Sequence, residues 1–139
     1  MIYTPNQLNL PFKEVRRISV GSCMSRDPEH TYQLGGDWFR AVLGHAHMCP
    51  NDPYRKSICI LEKFVTNRQI MWHEYAHILT PMPAYILECG VEDGKSERWI
   101  VEGNAIEVKK AWNDGHSKEW ADWMRSFGLE PNIHYMGEP

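Results

Sequence analysis

The stretch that decides the fold is His73-Glu74-Tyr75-Ala76-His77, an H-E-x-x-H pattern. On a helix, residues four apart lie on one face about one turn apart, so the two imidazoles can hold one metal ion between them. Glu74 lies beside that face, where its carboxylate can take a proton from an activated water. The pattern predicts a zinc-dependent hydrolytic site, with His73 and His77 as ligands and Glu74 as general base.

The residues around the motif predict a helix over about 67–80. Thr66 and Gln69 have the spacing of a capping box, which places the N-cap at Thr66. Pro81 and Pro83 close the segment, because proline cannot continue a helix. Just upstream, the short apolar run 57–61 is rich in strand formers and predicts a buried strand that leads into the helix.

Length and composition favour one α+β domain over residues 1–139. The chain is 42% hydrophobic, enough for a single core. A strand is predicted over 38–43 and continues through 44–47, so that a small mixed sheet packs on the motif helix. Helical spacing predicts further helices over 97–112 and 117–127. The last of these carries four large apolar side chains on one predicted face: Trp120, Trp123, Met124 and Phe127.

Several classes of function are disfavoured by composition. No run approaches the roughly 18 apolar residues of a membrane helix, and the first residues lack a signal-peptide pattern, so a cytoplasmic protein is expected. The net charge of −3, with no long basic run, gives no support for nonspecific nucleic-acid binding. Four dispersed cysteines contain no C-x-x-C pair and are interpreted as free thiols.

A catalytic zinc usually takes three protein ligands and keeps one position for water, so a third ligand is needed. His116 follows Gly115 at the start of the last predicted helix and can project into a cleft. Glu102, on the helix predicted over 97–112, is the alternative third ligand. Asp114 and His134 are further candidates.

Three segments together resemble the SprT-like zinc metallopeptidase family. They are residues 73–80 with H-E-x-x-H, residues 115–120 with G-H-S-K-E-W, and residues 124–131 at the end of the last helix. That family pairs H-E-x-x-H with a later glycine–histidine step that is followed by a Phe or Trp. The resemblance covers roughly residues 57–131. It implies a zincin-like fold, a Zn²⁺ cofactor held by His73, His77 and His116, Glu74 as acid and base, and a protein or peptide substrate.

The chain departs from that family in two places. The segment between the motif and Gly115 is longer than the family's, so residues 81–112 are predicted to be an insertion. The cysteine pairs of the C-terminal zinc ribbon that many relatives carry are absent, which weakens a DNA-linked role.

Two alternative functions stay open at this point. Residues 99–105 are similar to the W-x-x-E-G-x-A stretch of aminopeptidase-type gluzincins, in which Glu102 would be the third ligand. The other alternative is a non-catalytic metal-binding interaction domain, although a purely structural site needs no general base such as Glu74. Separately, His45 and His47 alternate on a predicted strand and are either a second metal pair or sheet-surface residues.

Overall fold

The strand Ser57–Ile60 (β6) lies inside a four-stranded sheet, and all four of its residues are buried. The structure is a computed structural model that describes residues 1–21, 31–34, 37–40, 44–48, 50, 53–83 and 114–131. The strand order is β1 (Ile2–Tyr3), β2 (Arg17–Val20), β6 and β5 (Gly44–His47). β2 and β6 run parallel, whereas β1 and β5 pair antiparallel with their neighbours, so the sheet is mixed.

The remaining described elements are a second sheet and two helices. β3 (Thr31–Leu34) and β4 (Asp37–Arg40) form a separate antiparallel pair. The helices are α1 (Arg68–Leu79) and α2 (Lys118–Ser126). Short 3₁₀ turns cover Pro5–Leu8 and Glu62–Phe64. The expectation of an α+β architecture is therefore confirmed.

The core lies between the sheet and α1. Ile58 and Ile60 of β6 pack in one apolar cluster with Ile18 of β2 and with Met71 and Tyr75 of α1. Burying one such side chain stabilises the folded state by roughly 1.5–3 kcal/mol, so these contacts hold the motif helix against the sheet. Since side chains alternate along a strand, the other two residues of β6 face the opposite side of the sheet.

The start of α1 differs by one residue from the prediction. Asn67 is the N-cap, and its side chain accepts a hydrogen bond of 3.2 Å from the backbone N–H of Ile70. The N-cap predicted at Thr66 is therefore wrong. Gln69 does not complete a capping box either, because its amide donates a 2.7 Å hydrogen bond to the carbonyl of Glu130. The side chain of Gln69 therefore links α1 to the chain that follows α2 instead of capping the helix.

The two neighbouring cap candidates allow a direct test of where α1 begins. We expect Asn67→Ala to lower the free energy of unfolding by about 1 kcal/mol, because it removes the acceptor for the Ile70 N–H. Thr66→Ala is the matched control and should change it by less than about 0.5 kcal/mol. Urea denaturation of the metal-free protein measures both. A larger loss for Thr66→Ala than for Asn67→Ala would contradict the assignment.

α2 is bounded by two local signals. Ser117 is its N-cap and accepts a 3.3 Å hydrogen bond from the backbone N–H of Trp120. Gly128 follows the helix with φ of +79°, the left-handed conformation that favours glycine at this position. The predicted apolar face is only partly right, because Trp120 and Met124 are buried while Trp123 is 40% exposed. The helix buries a narrower stripe than its aromatic content indicates.

The two described ends of the strand predicted over 38–47 belong to different sheets, and residues 41–43 lie outside the described ones. The first end is β4, paired with β3, and the second end is β5, which belongs to the four-stranded sheet. Among the described strands, β5 lies at the edge of that sheet and contacts α1. The motif helix therefore lies beside an antiparallel edge strand.

Some predicted features lie outside the described residues. Of the predicted insertion 81–112, only residues 81–83 are described, and the helix predicted over 97–112 is not. Within the described part of the chain, no helix has the length and apolar character needed to cross a membrane.

Candidate metal centre

α1 presents the two motif histidines on the side that faces α2. His73 and His77 lie one turn apart, and their Nε2 atoms are 3.3 Å from each other. His77 is only 8% exposed, whereas His73 is half-buried. Ala76, between them, is fully buried against Trp120 and Met124 of α2. The small side chain at position 76 lets the second helix approach closely.

α2 brings the third histidine to the same place. His116 precedes the N-cap Ser117, and its Nε2 atom lies 3.1 Å from that of His73 and 3.2 Å from that of His77. Gly115 is buried, and a Cβ added there would lie 3.2 Å from Cε of Met82. Glycine before His116 therefore leaves room for the chain that follows α1.

The three Nε2 atoms cannot satisfy one another by hydrogen bonding. In a neutral imidazole, each nitrogen is either a donor or an acceptor. Among three atoms in mutual contact, at most two of the three pairs can then join a donor to an acceptor. The third pair must place two lone pairs or two N–H groups about 3 Å apart, whichever tautomers the rings adopt. A cation bonded to all three lone pairs removes this conflict.

The spacing of the triangle fits a tetrahedral ion. With Zn–N bonds of about 2.0–2.1 Å, tetrahedral geometry separates two nitrogen ligands by about 3.3–3.4 Å. The three separations here are 3.1, 3.2 and 3.3 Å. Within the described ranges, this is the one group of three potential ligands close enough to hold a metal ion. The residues therefore fit a metal held by three histidines.

Burial favours the form of His77 that binds metal. Desolvation lowers the pKa of His77 well below its ordinary value, and the nearby imidazoles of His73 and His116 lower it further. The ring is therefore neutral near pH 7, as a metal ligand must be.

Glu74 lies beside the triangle without belonging to it. Its carboxylate Oε1 is 3.9 Å from Nε2 of His73, and the residue is 7% exposed. The side chain passes over β5, since a Cβ added to Gly44 would lie 3.5 Å from Cγ of Glu74. The edge strand therefore forms one wall against the Cγ methylene of the Glu74 side chain.

Gly44 offers a way to disturb that wall. We expect Gly44→Ala to destabilise the protein by about 1–3 kcal/mol, because the new methyl group would lie 3.0 Å from the backbone carbonyl oxygen of Cys59. Any displacement of β5 also moves the surface that supports Glu74. Thermal unfolding and zinc stoichiometry, measured together, check this: stability should fall while the bound zinc stays unchanged. An unaltered unfolding temperature would contradict the close packing.

The predicted site residues have different outcomes. The structure brings His73, His77 and His116 together with Glu74 beside them. Asp114 is described, but it is not part of the three-histidine group. The alternative ligand Glu102 and the candidate His134 lie outside the described residues.

One polar contact was not anticipated from the sequence. His47 is buried, 5% exposed, and its Nε2 atom lies 3.3 Å from Sγ of the fully buried Cys59. Both residues occupy the sheet face opposite the core, where His47 pairs in register with Ser57. His47 is thus neither a sheet-surface residue nor part of the histidine triangle. Strand alternation in β5 and β6 gave a signal for the shared face, but not for the pairing of the two strands.

Comparisons of the chain with models of known protein families, with curated proteins and with solved structures found no match.

Proposed function

We propose that this protein is a zinc-dependent peptidase with a zincin-like fold, of the kind that its motifs resemble. The observation that carries the proposal is the triangle of Nε2 atoms from His73, His77 and His116, with the buried Glu74 carboxylate 3.9 Å from one of them. A bound zinc ion would supply Lewis acidity and lower the pKa of a water toward ~7. Three protein ligands, His73, His77 and His116, would leave room for that water.

In this proposal, Glu74 transfers the proton during hydrolysis. As general base it accepts the proton of the attacking water, and as general acid it returns that proton to the leaving amine. Its position outside the ligand group supports this role, since its carboxylate is not needed to complete a tripod that already has three imidazoles. A closed structural site would need a fourth protein ligand, and the described residues supply three.

The edge strand supports a peptide as substrate. β5 is at the edge of the four-stranded sheet among the described strands, and it contacts α1. The unpaired backbone groups of an edge strand can bind an extended peptide by adding a strand to the sheet. A peptide bound along β5 would pass Gly44, and therefore the side chain of Glu74.

Metal removal and reloading test the proposal. We expect the purified protein to bind one zinc per chain, to lose peptide hydrolysis after treatment with a chelator such as 1,10-phenanthroline, and to regain it when zinc is added. Internally quenched peptides with blocked and free N-termini should be cleaved alike by an endopeptidase. Cleavage of free N-termini alone would favour the aminopeptidase-type gluzincin. Zinc binding without cleavage of any peptide in a diverse library would favour a non-catalytic metal-binding domain.

A further inference from the structure

Trp120 touches every ring of the histidine triangle. It is fully buried, and its ring centroid lies 4.7 Å from that of His73, 5.6 Å from that of His77 and 4.8 Å from that of His116. Its indole Nε1–H also donates a 3.2 Å hydrogen bond to the backbone carbonyl of His73. One side chain of α2 is therefore in contact with both parts of the site, the motif helix and the third histidine.

The indole of Trp120 is stacked on the imidazole of His77. Its ring lies nearly parallel to that imidazole, with an interplanar angle of 25°, whereas it meets the rings of His73 and His116 edge-on at 65° and 86°. A parallel ring in contact limits rotation of the imidazole about its χ2 angle, because any large rotation would drive the ring edge into the indole.

Within the described part of the chain, His77 lacks the hydrogen bond that usually fixes the ring of a metal-binding histidine. A metal-binding histidine normally donates its second ring N–H to a carboxylate, a carbonyl or a water, which fixes the ring orientation and the tautomer. Nδ1 of His77 is buried and has no hydrogen-bond partner within the described residues. Packing must therefore replace the hydrogen bond as the restraint on this ring, and Trp120 is the residue that lies against it.

The third histidine also depends on this residue. His116 is 39 residues away from His77 in the sequence, so its place in the triangle is set by how α2 docks on α1. Trp120 lies at the centre of that contact, packed with Met124 against Ala76. Its backbone N–H donates to the side chain of Ser117, the N-cap that directly follows His116.

We propose that Trp120 is a positioning residue for the metal, which holds the imidazole of His77 by ring packing and sets His116 against α1. The proposal rests on the proposed zinc site. Trp120→Phe keeps an apolar ring but removes part of the stacked surface and the Nε1–H donor. Loss of such a supporting contact typically weakens metal binding 10–100-fold, and we expect a loss in that range. Trp120→Leu removes the ring and should weaken binding further.

Two other tryptophans supply matched controls. Trp123→Phe makes the same chemical change in α2 at a side chain that is 40% exposed. Trp72→Phe makes it in α1, one residue before His73, where the indole packs on Phe12 and Phe127 instead of on the triangle. Zinc affinity is measured by competition with a chromophoric chelator, and the visible absorption of the Co²⁺-loaded protein reports ligand geometry.

The proposal predicts that Trp120→Phe lowers zinc affinity and alters the Co²⁺ spectrum, while both controls keep the wild-type values. An affinity and a spectrum equal to wild type in Trp120→Phe would overturn it and leave the proposed function intact. An equal loss of affinity in Trp72→Phe would also overturn it, because the effect would then come from general destabilisation. A wild-type protein that binds no zinc would overturn the proposed function as well.

A measurement on the intact protein applies if the Trp120 variants do not fold. Zinc binding should slow hydrogen exchange of the Trp120 indole N–H more than that of the Trp72 indole N–H, because the Trp120 indole donates a hydrogen bond to the backbone of His73, a residue of the triangle. Equal slowing of the two would overturn the proposal.

Discussion

Glu74→Gln is expected to lower peptide hydrolysis by about 10²–10⁴-fold, which is the usual contribution of general acid–base catalysis. The amide that replaces the carboxylate has nearly the same shape but cannot accept the proton of the attacking water. Glu74 lies outside the three-histidine group, so the variant should still bind one zinc per chain. Hydrolysis of a fluorogenic peptide and metal content by atomic spectroscopy are measured on the same preparation.

Glu119→Gln is the matched control for this prediction. Glu119 is exposed on the first turn of α2, so its substitution changes the net charge by the same amount without touching the triangle. We expect the control to keep its activity within about a factor of two, as is usual for surface changes. Near-normal hydrolysis by Glu74→Gln would show that the proposed proton transfer is wrong, even if zinc is bound.

His116→Ala is expected to weaken zinc binding by well over 100-fold. Changes in residues that only support a ligand cost 10–100-fold, and removal of one of three ligands should cost more. His73 and His77 would be left as a pair, with their Nε2 atoms 3.3 Å apart and no third imidazole close to them among the described residues. Chelator competition at constant pH gives the affinity, and peptide hydrolysis should be lost in parallel.

Glu102→Ala separates the two candidates for the third ligand. If His116 is the ligand, the Glu102 variant should keep wild-type zinc affinity. If Glu102→Ala empties the site while His116→Ala retains zinc, the gluzincin interpretation is correct and the triangle is not the metal centre. Circular dichroism of both variants guards against loss of zinc through unfolding.

Most of the features that the sequence could predict follow from the spacing of residues that are close together in the chain. The relation between His73 and His77 follows from the pitch of one helix, and the strand before it follows from a short apolar run. Ser117 bounds α2 because its side chain accepts a hydrogen bond from the Trp120 N–H three residues on, and Gly128 bounds it through a left-handed backbone conformation. These features depend on interactions within about four residues, which a sequence displays directly.

The predictions from sequence failed where the structure depends on packing between residues that are far apart in the chain. Trp120 and Trp123 are equally apolar, but only the docking of α2 on Ala76 determines which one is buried. Gln69 has the spacing of a capping-box residue. The sequence could not reveal its actual partner, the carbonyl of Glu130, because that partner is 61 residues away. The resemblance to a known family implied His116 as the third ligand, whereas spacing alone left Glu102 as an alternative.

The distance in sequence between the ligands has a consequence for the life of the protein in a cell. An ion held by all three rings would close a loop between residues 77 and 116, a separation of 39 residues, and would act as a reversible cross-link. Binding to the folded state alone adds about 2.7 kcal/mol of stability when free zinc is 100 times the dissociation constant. Resistance to degradation, and therefore abundance, would then rise and fall with the zinc supply.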